Sequence, residues 1–145
     1  MLKSFWFWFT IFSVAIQFIP VDVPSKLATE PQSEIDAPRE ILAILKRSCY
    51  DCHSSSVDYP WYDKIAPVSW FVKNHVKNGR KVINFSRWKE YSPEKRAEVI
   101  RKLPKSLTIR MPMPSYLWLH QDAALSDNDK RIVRRWANDL KKNLK

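Results

Sequence analysis

Apolar positions in the C-terminal three-quarters of this chain recur with a helical rather than a strand period. Ile41, Leu42, Ile44 and Leu45 form a stripe running into Cys49, with Asp36 as N-cap and Pro38 in the first turn, so the pattern predicts a helix over about 38–48. Pro67 opens a second helix with Val68, Val72, His75 and Val76 on one face, and the single glycine, Gly79, is expected to close it. Ser92-Pro93-Glu94 starts a third helix that should run to the Leu103-Pro104 break. Ser126 with Asp129 three residues later resembles a capping box for a fourth, which sets Ile132, Val133, Trp136, Ala137, Leu140 and Leu144 on one side. The intervening stretches are dense in proline and aromatics and show no sustained period-two alternation. An all-α domain is the expected class.

The N-terminus has a different character. After Lys3, the run from Phe5 to Ile19 carries no charge and is crowded with phenylalanine and tryptophan. As a helix it spans little more than about 20 Å against a hydrocarbon core of roughly 30 Å, between a signal peptide and a short anchor in length. No small-x-small cleavage site follows it, and Trp6 and Trp8 suit a membrane interface, which favours a membrane helix. With Lys3 on the cytoplasmic side, the rest of the chain would be exported and held to the membrane by one anchor, which in a bacterium places the domain in the periplasm on the inner membrane. The expected organisation is an anchor or uncleaved signal over 1–20, a linker over 21–36 and one folded domain over 37–145.

Composition narrows the chemistry. A chain of 145 residues supports one ordinary domain, and 1 glycine against 10 prolines excludes glycine-rich phosphate loops. Trp 7, Phe 7 and Tyr 5 exceed what so small a core needs, which fits a large flat apolar ligand or membrane contact. The net charge of +10 implies an anionic neighbour. Its C-terminal cluster, Lys130, Arg131, Arg134, Arg135, Lys141, Lys142 and Lys145, reads as a solvated helix face, and no nucleic-acid motif accompanies it, so no nucleic-acid partner is expected.

Cys49-Tyr50-Asp51-Cys52-His53 contains the only two cysteines and has the Cys-x-x-Cys-His form of a c-type haem attachment site. Two thiols three residues apart can each form a thioether to one haem vinyl group, and the adjacent imidazole can become the proximal iron ligand. A thioredoxin-type pair would need strands that the pattern lacks, and a closed zinc site would need four ligands with no second cysteine pair to complete it. Haem would also form part of the core, so the domain without it is expected to be poorly folded. For the distal position the candidates are Met111, favoured because its Met-Pro-Met-Pro loop is stiff and late in the chain, then Met113 and His75. His75 otherwise reads as a core residue or one placed beside the haem, and His120 is a weaker ligand candidate.

The run CYDCHSSSVDYPWYDKIAPVSWFVKNHVKNGRKVINFSRWKEYS, followed by MPMPSYLWLH and a terminal Leu-Ser-Asp helix, resembles the small haem-binding domain of bacterial membrane-anchored mono-haem c-type cytochromes. The resemblance implies a cytochrome c-like helical domain around one covalent haem c, with Cys49 and Cys52 attached, His53 proximal and Met111 the best match to the distal methionine. Members typically carry one methionine there, and this chain has two. The resemblance names no donor or acceptor; with the anchor and linker, the expected function is single-electron transfer with redox partner proteins of the membrane or periplasm, with no catalytic residues. The alternative is a haem peroxidase or a gas or redox sensor with an open or labile sixth site.

Overall fold

The computed structural model describes residues 2–143, and their α-helices are α1 (Leu2–Ala15), α2 (Arg39–Ser48), α3 (Tyr50–His53), α4 (Val68–Val82), α5 (Pro93–Ile109), α6 (Pro114–Leu117) and α7 (Asp127–Asn143). Short 3₁₀ turns join them. Among the described residues the one β-type pairing is an isolated antiparallel bridge between Lys26 and Ser56. Leu144 and Lys145, assigned above to the apolar side and the basic cluster of the last helix, lie outside the described residues.

The principal core forms where α2, α5 and α7 meet. Ile41, Ile44 and Leu45 of α2, Val99, Ile100 and Leu107 of α5, and Val133 and Ala137 of α7 are all buried. Each fully buried large side chain contributes about 1.5–3 kcal/mol relative to exposure. Phe85 and Trp88, on the 3₁₀ stretch after α4, close one end of this core. The α7 capping box forms reciprocally: Ser126 N–H donates to Asp129 Oδ2 and Asp129 N–H donates to Ser126 Oγ, each at 3.0 Å. Asp129 also pairs with Arg47 of α2 at 2.9 Å, tying the two helices together. The outward basic side chains of α7 make short-range pairs, such as Lys142 with Asp139 at 3.0 Å, as a solvated face does.

Several boundaries differ from the sequence reading. Asp36 does not cap α2; it pairs with Lys89 at 2.8 Å, and Pro38 occupies the N-cap position. Helix α5 does not break at Pro104 but continues to Ile109, because Leu107 is buried in the core and holds the last turn in place. Helix α4 does not stop at Gly79. It runs on to Val82, and Gly79 is a buried interior position with no positive φ.

The N-terminal expectation is corrected as well. α1 is 14 residues, about 21 Å at helical rise, and ends in a 3₁₀ turn over Ile16–Phe18. Among the described residues no helix is long and apolar enough to cross a membrane. The membrane anchor, and the inner-membrane and periplasmic placement inferred from it, therefore fall away. The segment 21–36 does not hang free as a tether. Val23 and Ile35 are buried, Arg80 donates to the carbonyls of Pro24 (2.6 Å), Ser25 (2.9 Å) and Ser54 (2.8 Å), and Ile35 N–H donates to Phe85 O.

Candidate functional site

The cysteine motif lies at a break between two helices. Cys49 ends α2 with φ −131° and ψ −33°, and its carbonyl accepts from the N–H groups of Cys52 (3.2 Å) and His53 (3.0 Å) as α3 begins. Positions i, i+3 and i+4 of a helical turn share one face, so Cys49, Cys52 and His53 point the same way. All three line a cavity of about 380 Å³, a size typical of ligand sites. The cysteines are free thiols. Burial pushes Cys49 up to about 12 and Cys52 up to about 11, so both are protonated at neutral pH, unlike the reactive thiolate of a thioredoxin-type pair.

His53 is held by backbone. Its Nδ1 donates to the carbonyls of Gly79 (3.0 Å) and Ile83 (3.2 Å), which fixes the tautomer and leaves Nε2 with no hydrogen-bond partner among the described residues. Burial lowers the His53 pKa against the opposing pull of these two carbonyls and keeps the ring neutral, the form that ligates a metal. The approach of α3 to α4 explains the lone glycine. A Cβ at Gly79 would sit 2.7 Å from Cys52 O and 3.3 Å from His53 Cε1, so the position is glycine for close packing and not for a helix stop.

The opposite walls are supplied by α4 and by the segment leading into α6. Val68, Val72, His75 and Val76, read as a core-facing stripe, face the cavity, and Val76 alone is fully buried. His75 stacks on Phe71 at 6.4 Å, and desolvation lowers its pKa. Met111 and Met113 both reach the wall from the bend between α5 and α6. The cavity thus gathers Cys49, Cys52, His53, His75, Met111 and Met113. His120 is not among its lining residues: its Nε2 is hydrogen-bonded to the Tyr62 hydroxyl at 2.8 Å, and its ring stacks on Tyr116 at 4.3 Å.

Sequence reasoning did not single out Asp51, Tyr62 and Tyr116. Tyr116 donates a hydrogen bond to Asp51 Oδ2, linking the methionine segment to the cysteine motif. The i, i+4 spacing of Tyr116 and His120 hinted at a shared helical face, whereas nothing in the sequence pointed to Tyr62.

The family model described as a haem-binding domain matches residues 11–139. No curated protein and no solved structure matches the chain. The residues present suit a haem: an apolar cavity, a neutral imidazole oriented by two carbonyls with its second nitrogen unpaired, and a glycine that lets the imidazole helix lie close against its neighbour. A match that spans almost the whole chain and a cavity of this chemistry agree: the chain belongs to the haem-binding domain family.

Proposed function

We propose that this protein is a mono-haem c-type electron carrier, with Cys49 and Cys52 forming the covalent attachment, His53 the proximal ligand and Met111 the distal one. The observation that carries the reading is the seating of His53 beside two thiols on the wall of one apolar cavity. Each thiol would add across one vinyl group, its sulfur bonding one carbon and its hydrogen passing to the other, with no net oxidation. Haem supplies a one-electron iron couple. The chain's part is to orient His53 through Nδ1, keep water from the iron with Val68, Val72 and Val76, and present a thioether from a proline-stiffened segment. The partners are redox proteins that exchange single electrons with it.

Mass spectrometry of the denatured protein from a haem-maturing host should show one added haem, absent from Cys49→Ala/Cys52→Ala. An unmodified wild-type mass would overturn covalent attachment. The ferric wild type should be low-spin and carry the near-infrared sulfur-to-iron charge-transfer band. Met111→Ala should abolish that band and lower the potential, because a thioether favours ferrous iron. Loss on Met113→Ala instead transfers the role to Met113, and an effect of His75→Ala alone indicates a bis-histidine site. A high-spin iron that binds carbon monoxide in the wild type would favour a peroxidase or sensor.

A further inference from the structure

The segment that carries both methionines is poorly anchored by burial. From Thr108 to Asp122 no side chain is buried, although Leu107 before it and Ala123 after it are. α6 is a single turn of four residues with no buried member, and Trp118 is 77% exposed. Hydrophobic packing therefore does little to set where Met111 and Met113 sit. Among the described residues, the side-chain hydrogen bonds that tie residues 111–120 to distant parts of the fold are two: Tyr116 to Asp51, inside the cysteine motif, and His120 Nε2 to the Tyr62 hydroxyl at 2.8 Å, on the turn Trp61–Lys64. They act together, since the Tyr116 and His120 rings stack at 4.3 Å and 6°. Asp51, Tyr62 and Tyr116 all line the cavity that Met111 and Met113 line.

We infer that Asp51, Tyr116, His120 and Tyr62 form a brace that positions the methionine segment against the haem-attachment turn, with Tyr116 as its principal positioning residue. The inference rests on the proposed haem site and adds what holds the distal side closed. Without the brace, the exposed loop samples positions in which no thioether reaches the iron. The fold itself does not need it, because α2, α5 and α7 pack elsewhere.

An external ligand competes with the closed loop, so its apparent affinity is reduced by the fraction of time the loop is open. Imidazole is the probe, titrated into the ferric holoprotein. A hydrogen bond to a charged carboxylate is worth enough that Tyr116→Phe should tighten imidazole binding roughly ten- to hundred-fold and weaken the near-infrared sulfur band. Haem content should stay near wild type, and the urea midpoint should fall by no more than the lost hydrogen bond accounts for. Tyr62→Phe should act in the same direction but less, and Asp51→Asn combined with Tyr116→Phe should add little to Tyr116→Phe alone. Should Tyr116→Phe fail to accumulate as holoprotein, Asp51→Asn weakens the same bond and carries the same expectation. Unchanged imidazole affinity in the variant, with the sulfur band intact, overturns the brace while leaving the haem assignment standing. Absence of covalent haem or of the sulfur band from the wild type overturns the haem or methionine reading instead, before any variant is compared.

Discussion

Gly79 shows most directly how one residue sets the site. In an exposed helix interior, replacing glycine by alanine stabilises by roughly 1 kcal/mol. Here the added Cβ would meet Cys52 O at 2.7 Å, and that atom is backbone that cannot rotate away. Gly79→Ala should therefore reverse the usual sign and destabilise by about 1–3 kcal/mol, the range of core overpacking. Because Gly79 O also accepts from His53 Nδ1, the displacement should lower holoprotein yield as well. Urea unfolding and haem quantitation on the same preparation test both; a variant more stable than wild type with full haem would show that α3 can move off α4 at no cost. At this scale the sequence was legible for Cys49, Cys52 and His53, because their chemistry depends on spacing alone. It was not legible for Gly79, whose role comes from two helices meeting, a contact that no local pattern encodes. Met111 and Met113 stayed ambiguous for a related reason: they lie two residues apart across one bend, and both line the cavity.

Among the elements, α5 departs most from local expectation. Pro104 removes the N–H that would pair with the carbonyl of Ile100, yet the helix continues through it to Ile109. Tertiary packing outweighs propensity, since Ile100 and Leu107 lie on either side of the proline and both are buried in the core cluster that also takes in α7 and α2. Pro104→Ala should restore the missing bond and stabilise the holoprotein by about 1–2 kcal/mol, less than the full proline penalty because the unfolded chain also gains freedom. Urea denaturation gives the sign; a loss of stability would mean that the proline itself helps to place Leu107 in the core. The helices with strong periodicity, α2 and α7, were legible because their stripes meet a core. The α4 stripe was legible as apolar but not as a cavity wall, since burial against protein and burial against a ligand leave the same trace in sequence.

For the whole molecule, the decisive feature is that the buried side chains of the main core do not line the cavity, the two meeting at Cys49 and where His53 packs on Phe85. One cluster joins Ile35, Ile44, Leu45, Phe85, Ile100 and Val133 with their neighbours, whereas a second, smaller one of Val23, Val57 and Val76 lies by the cavity, which Val57 and Val76 line. This changes what haem should do for stability. The expectation of a poorly folded haem-free domain treats the macrocycle as the centre of a single core, but none of the buried residues of the main core lines the cavity. Hydrogen exchange on Cys49→Ala/Cys52→Ala, compared with wild-type holoprotein, should show protection retained in α2, α5 and α7. It should be lost from the turn at Trp61–Lys64, from α4 and from the methionine segment, whose apolar side chains face a cavity with nothing to bury them. Protection lost evenly across all helices would mean that the two halves fold as one unit with haem at its centre. Protection kept evenly would mean that the cavity walls hold their own shape and that the cofactor enters a preformed site.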